Sequence, residues 1–244
     1  MLGPFHTHDA EAEANGSTIS HDPQGEPCLV LCTLRDTSGN PIEGAKIDVW
    51  ETDSKGFYDV QYADRAAPEG RAVLRSDKDG KFWFKAIVPV PYPIPHDGPV
   101  GKLLKALKRH PYRPSHMHFM FEKSGFDHLI TLVLPLDRSA PSFCAAYVTV
   151  ADAYSSLYLR GDPYETSDAV FGVKESLLIN LGTVSAEQAK EYGVKEGGKS
   201  ITYDFVLVSD DEARQLREDK AMAAMKAQGR KMKLYQGLPV PDVD

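Results

Sequence analysis

The feature with the most reach is a strand-like stretch in mid-chain, Arg113-Pro114-Ser115-His116-Met117-His118-Phe119-Met120-Phe121-Glu122. Residues 115–121 are mostly aromatic or apolar and contain no glycine, which suits a β-strand. Side chains alternate between the two faces of a strand, so His116 and His118 point the same way and can reach one metal ion. Pro114 has no N–H and a fixed φ, which stiffens the approach to the strand. An ordinary strand surface can also carry His-x-His; ligand-type side chains gathered upstream give this pair its weight.

The flanking chain reads as short strands parted by turn residues. Strands are predicted over 29–35, 45–51, 81–88 and 201–208. Between them lie turns such as Asp36-Thr37-Ser38-Gly39-Asn40-Pro41 and Asp77-Lys78-Asp79-Gly80. In the second strand Ala45, Ile47 and Val49 face one way and Lys46, Asp48 and Trp50 the other. This pattern predicts an all-β fold, an antiparallel β-sandwich core with peripheral loops and a C-terminal helix. Ser209-Asp210-Asp211-Glu212 has the form of a capping box and is expected to open that helix, through about Lys231. Residues 1–27 read as an extended arm, 57–60 as a short extended piece, 101–109 as a short basic helix and 234–244 as a tail. The expected organisation is a core over 1–208 and a helix and tail over 209–244.

Composition narrows the function classes. A net charge of −7 argues against a nucleic-acid-binding surface, and no apolar run reaches membrane-spanning length. The start of the chain has neither a basic region nor an apolar stretch of signal-peptide type, so a cytoplasmic location is expected. Cys28, Cys32 and Cys144 form no even framework and read as free thiols of a reducing compartment.

In Val88-Pro89-Val90-Pro91-Tyr92-Pro93-Ile94-Pro95, every second residue from Pro89 is proline. Such a path is rigid and extended, and Tyr92 has little backbone entropy left to lose. Tyr58 also sits on a constrained loop beside a strand. Tyr58, Tyr92, His116 and His118 together offer two phenolates and two imidazoles. A free tyrosine ionises near pKa ~10, so only a strongly acidic cation keeps two deprotonated at neutral pH. Fe(III) meets that need, whereas Zn²⁺ prefers Cys, His and carboxylate, and Mg²⁺ and Ca²⁺ avoid imidazole.

At this point the motifs carry a resemblance. Gly56-Phe57-Tyr58, the proline-flanked Tyr92 followed by Ile94-Pro95-His96-Asp97-Gly98-Pro99, and Arg113-Pro114-Ser115-His116-Met117-His118-Phe119 are similar to those of the intradiol ring-cleavage dioxygenases. Gly39-Asn40-Pro41-Ile42 with Gly44-Ala45 and Asp48-Val49-Trp50, Ser76-Asp77 with Asp79-Gly80, and Asp168-Ala169-Val170-Phe171-Gly172-Val173 match as well. Gly3-Pro4-Phe5-His6 and Tyr58-Asp59-Val60-Gln61 most resemble the hydroxyquinol 1,2-dioxygenase branch.

The resemblance implies a non-haem Fe(III) enzyme that opens a small aromatic diol with O2. Hydroxyquinol would give 3-hydroxymuconate or its tautomer maleylacetate. Tyr58, Tyr92, His116 and His118 would be the metal ligands, with Tyr92 the one displaced by substrate. Arg113 would stabilise negative charge on the ring carbon, and Gly3, Pro4, Phe5, Ile94 and Pro95 would line the ring pocket. Tyr158 stands outside this set, and Tyr158→Phe is expected neither to alter a charge-transfer band nor to cut turnover.

Two departures from the family pattern stand out. Family members with this core usually begin with a helical segment that builds a dimer, and this sequence starts on Leu2-Gly3-Pro4-Phe5. A truncated chain is therefore expected, without the family's homodimer. Residues 132–155 also interrupt what would be one strand, running from Leu129-Ile130-Thr131 to Ser156-Leu157-Tyr158-Leu159, as an unspliced intron or an atypical insertion would. Three other readings compete: a catechol 1,2-dioxygenase, a facial triad of His116, His118 and Glu122 on Fe(II), and an inactive homologue serving only as a β-sandwich binding module.

Overall fold

The computed structural model describes residues 4–65, 67–127, 154–227, 229, 232–235 and 238–241. Two sheets face each other. One has the order β10-β11-β1-β4, built from Gly182–Thr183 (β10), Lys199–Leu207 (β11), Pro27–Asp36 (β1) and Lys81–Ile87 (β4). The other has the order β3-β2-β7-β8-β9, from Arg71–Arg75 (β3), Lys46–Trp50 (β2), His116–Glu122 (β7), Tyr154–Leu159 (β8) and Leu178–Ile179 (β9). The sandwich expected from the turn spacing is present. Most pairings are antiparallel, but β1 runs parallel to β11 and β8 parallel to β9. Neither parallel pair is joined by a short hairpin, the connection that imposes an antiparallel pairing.

The core lies between the sheets. β1 contributes Cys28, Val30, Cys32 and Leu34, β4 contributes Phe82 and Phe84, and β11 contributes Phe205. β7 answers with Met117, Phe119 and Phe121, all essentially inaccessible. The ring centroids of Phe119 and Phe205 stand 5.0 Å apart across the gap. Burial of each such side chain favours the fold by roughly 1.5–3 kcal/mol. Since the odd residues of β7 fill the core, its even residues face outward, which puts His116 and His118 on the outer face of the second sheet. Cys28 and Cys32 are unbridged and buried, and burial pushes the Cys28 thiol up to about 12.

The outer face of the second sheet is covered by irregular chain. The arm first bonds to a sheet near Ala12, which bridges to Val73. The loop after β2 carries Tyr58 into a single 3-10 turn, Asp59–Gln61, where an extended piece was expected. The proline run carries Tyr92–Pro93 (β5), which pairs with Tyr112–Arg113 (β6) to form a two-residue ribbon. Between them lies the short helix α1, Pro99–Ala106.

Two further helices lie outside this region. Ala186–Tyr192 (α2), for which no helix was predicted, is capped by a box of Ser185 and Gln188. Asp210–Ala227 (α3) opens on the expected box, with Ser209 Oγ donating to Glu212 Oε2 at 2.6 Å and accepting from the Glu212 amide at 3.3 Å. The helix ends four residues before Lys231, and the predicted tail forms a ribbon of Met232–Tyr235 (β12) and Leu238–Pro241 (β13). No described helix is long and apolar enough to cross a membrane. The interruption at 132–155, the strand start at 129–131, Cys144 and Gly3 all lie outside the described residues, save that Tyr154 and Ser155 open β8.

Candidate metal centre

Four side chains converge on the outer face of the second sheet. His116 and His118 project from β7, Tyr58 enters from the loop after β2, and Tyr92 from the two-residue ribbon. All four are buried. Tyr58 Oη stands 3.3 Å from Tyr92 Oη and 2.9 Å from His118 Nε2. His118 Nε2 in turn stands 3.1 Å from His116 Nε2. Donor atoms sharing one ion at ~2.1 Å, at right angles, stand about 3 Å apart, so these spacings suit a common cation.

The surroundings decide which atoms face inward. His116 Nδ1 lies 2.6 Å from the carbonyl oxygen of Pro114 and donates its proton there. Its Nε2 lone pair is thereby directed to the cluster, the tautomer a metal ligand needs. His118 Nδ1 is held by Ser156 Oγ at 2.7 Å, and its ring stacks on Trp50 with centroids 5.0 Å apart. Burial, aided by the charge of Arg113, holds the His116 imidazole well below the usual histidine range. Burial first, then the neighbouring His116 and Arg113, does the same for His118. Both are therefore neutral donors at physiological pH. The donor set is two phenol oxygens and two neutral ring nitrogens. Among the described residues no group of three or more His, Cys, Asp or Glu could hold a metal. A hard, strongly Lewis-acidic ion is what such a set fits.

Gly56 explains how Tyr58 reaches this place. Its φ is +81°, and a Cβ there would stand 2.9 Å from Tyr92 Cβ. The loop thus passes against the ribbon in a conformation and at a distance that only glycine tolerates.

Arg113 borders the centre. Its Nη1 donates to His116 Nε2 at 3.0 Å and to Tyr92 Oη at 3.4 Å. Nε is held by Asp168 Oδ1 at 3.3 Å, and the same carboxylate accepts from the amides of Val170 and Gly172. Nη2 donates to Tyr158 Oη at 2.7 Å. The expectation that Tyr158 stands apart is therefore corrected. It is buried, holds the guanidinium and packs with its ring centroid 5.1 Å from that of His116. A Cβ on Gly172 would meet this hydroxyl at 2.6 Å.

The predicted wall residues divide. The Phe5 ring stacks on Tyr58, centroids 4.6 Å apart and 15° from parallel, and Ile94 packs on the cluster of Trp50, Tyr58 and Tyr92. Pro4 and Pro95 are exposed beside them. Glu122 is exposed at the far end of β7 and pairs with Lys46 at 3.3 Å, so it does not join His116 and His118 in a facial triad. Trp50 could have been suspected from its outward register on β2; Ser156 and Tyr158, placed by the pairing of β8 with β7, could not.

Comparison with known proteins agrees with this geometry. A family model described as Dioxygenase matches residues 1–143. The chain is 60% identical over its full length to the intradiol ring-cleavage dioxygenase hqdA of Aspergillus niger, covering 67% of that protein. It is 42% identical to the hydroxyquinol 1,2-dioxygenase of a Rhizobium species, over 85% of this chain and 63% of that one. The crystal structure of hydroxyquinol 1,2-dioxygenase from Pseudomonas putida superposes with a TM-score of 0.71 at 34% identity, over 86% of this chain and 65% of the other. The chain thus spans about two thirds of the length of these relatives. With the sandwich in place and two tyrosines and two histidines meeting on its outer face, the chain belongs to the intradiol ring-cleavage dioxygenase family.

Proposed function

We propose that this chain carries the catalytic centre of a hydroxyquinol 1,2-dioxygenase, with non-haem Fe(III) held by Tyr58, Tyr92, His116 and His118. The observation that carries the reading is the approach of the two phenol oxygens and two Nε2 atoms to within 3.3 Å of one another in sequence around the cluster. Bound Fe(III) would supply the Lewis acidity that makes a chelating aromatic diol reactive towards O2.

The protein's own residues do the rest. Tyr58, His116 and His118 are fixed by the loop turn, the Pro114 carbonyl and Ser156, and would stay in place. Tyr92 sits on a ribbon of only two residues, and its Oη is the atom suited to release and to take a proton from a substrate hydroxyl. Arg113 Nη1, already within 3.4 Å of that oxygen, stays charged and would stabilise negative charge as it builds on the ring. Phe5 and Ile94 offer apolar faces that hold a flat ring and keep water away. Both atoms of O2 would enter one ring-opened acid, 3-hydroxymuconate or its tautomer maleylacetate. Hydroxyquinol is preferred to catechol because two of the similar proteins are named for it.

The test is oxygen uptake by the iron-loaded chain with 1,2,4-trihydroxybenzene and, separately, catechol, with the product identified by mass. Uptake with the triol and a product heavier by one O2 is expected. Full iron loading with no uptake on either diol would refute the reading.

A further inference from the structure

Arg71 opens β3, is buried and belongs to none of the motifs that mark the metal centre. Its guanidinium is shared between two pieces of chain. Nε donates to Asp59 Oδ2 at 2.7 Å and Nη2 to Asp59 Oδ1, so the carboxylate next to Tyr58 is held by two parallel bonds. Nη1 donates to Thr7 Oγ1 at 2.7 Å and Nη2 also to the carbonyl oxygen of Phe5 at 3.1 Å. Asp59 is further anchored by the amides of Val60 and Glu69. One planar cation therefore ties the loop that carries Tyr58 to the arm that carries Phe5, whose ring lies on Tyr58.

The arm needs such a tie. Among the described residues its backbone bonds to a sheet begin at Glu11, so the segment Pro4 to Thr7 owes its place to side chains. Besides Arg71, these include the stacking of Phe5 on Tyr58, its edge contact with Tyr92, the packing of His6 on Trp50 with centroids 4.7 Å apart, and the pair His6–Asp48 at 3.4 Å. A buried ion pair is a weak device for stability alone, because desolvation offsets most of its attraction. As a device for register it is effective: the five donors of arginine lie in one plane and fix the angle between the groups they bind.

We propose that Arg71 is a positioning residue for the metal centre, holding Phe5 over Tyr58 so that the ring-binding wall and the tyrosine donor are set as one unit. The proposal rests on the reading of the four-residue cluster as an iron centre. It acts through Asp59, Phe5 and Thr7.

The test uses Arg71→Lys, which keeps the charge and loses the fork, and Thr7→Val, which removes the arm's hydroxyl contacts to Arg71 and Asp9 and leaves the Asp59 pair. In the metal-free protein, Arg71→Lys is expected to raise hydrogen exchange of the Tyr58–Tyr62 segment about tenfold and to speed limited proteolysis of the Pro4–Asp9 arm about tenfold, with exchange of β1 and β11 unchanged. In Thr7→Val only the arm should respond. In the iron-loaded protein Arg71→Lys is expected to shift the tyrosinate charge-transfer band and to raise KM for hydroxyquinol about tenfold, with kcat within about threefold. Wild-type exchange at Tyr58–Tyr62 together with wild-type proteolysis of the arm would overturn the proposal. So would faster exchange with an unshifted band and unchanged KM, which would leave Arg71 a strut. General loss of protection in Arg71→Lys with Thr7→Val silent would make it a fold determinant and overturn it too. Absence of a band in iron-loaded wild type would refute the iron reading instead, while exchange in the metal-free chain would still decide the coupling.

Discussion

Gly56→Ala should damage the centre from outside it. Two costs arise, and the structure separates them. The first is backbone strain: φ is +81°, where an L side chain costs roughly 1–2 kcal/mol. The second is overlap, because the new Cβ would stand 2.9 Å from Tyr92 Cβ and 3.4 Å from the Pro91 carbonyl oxygen. Carbon atoms in ordinary contact sit ~3.5–4.0 Å apart, so Tyr92 must yield by ~0.6 Å or more. Pro91 and Pro93 flank it, and the stiff backbone passes the push to the phenol. A misplacement of about 1 Å in a catalytic group costs on the order of 100-fold in rate. Gly39→Ala is the matched control, since φ there is +84° and nothing lies within 4 Å of the added carbon. Gly39→Ala should lower Tm by roughly 2–8 °C and leave turnover intact. Gly56→Ala should lose a further 1–3 kcal/mol and cut hydroxyquinol turnover by about 10–100-fold. Thermal melts and oxygen-electrode rates on the two variants check this. If Gly56→Ala melted with Gly39→Ala and turned over like wild type, the argument that this glycine sets the Tyr92 position would be wrong.

Tyr158→Phe removes the hydroxyl that Arg113 Nη2 meets at 2.7 Å; a stability loss of roughly 1.5–3 kcal/mol in urea titration is expected, with turnover reduced. Tyr92→Phe should alter the charge-transfer band and lower kcat, and an unchanged spectrum would remove Tyr92 from the ligand set. Glu51 is fully buried, one of its oxygens has no partner among the described residues, and burial raises its pKa well above the usual value. The folded state then holds a proton that the unfolded state has lost. Stability from this group is complete below pH ~4.5 and declines as pH rises towards the folded pKa, by at most about 1.4 kcal/mol per pH unit. Glu51→Gln should therefore gain on wild type as pH rises from 5 to 8 in denaturant titrations; a constant gap would contradict the assignment.

Much of the centre was legible because it follows strand periodicity. His116 and His118 are two apart in a run whose odd members are Met117, Phe119 and Phe121, so the core face and the face that carries the two imidazoles follow from the alternation. Tyr92 was marked by the prolines around it, and Tyr58 by motif. The rest depends on pairings between distant segments. Ser156 and Tyr158 reach the site because β8 sets them opposite His118 and His116, a register that no local pattern encodes. Arg71 was hidden because β3 begins and ends in arginine and only Ala72 and Leu74 show its inward face. The parallel pairing of β1 with β11 is equally non-local. By contrast, the Ser185–Gln188 box of α2 was a local signal that could have been read.

The most direct test of the central claim is the visible absorption spectrum of the chain loaded with Fe(III), recorded anaerobically before and after addition of hydroxyquinol. A tyrosinate-to-iron band that gives a wine-red protein, and that changes when the diol is added, is the expected result. A protein that binds one iron per chain and stays colourless, with no change on adding the diol, would contradict the account.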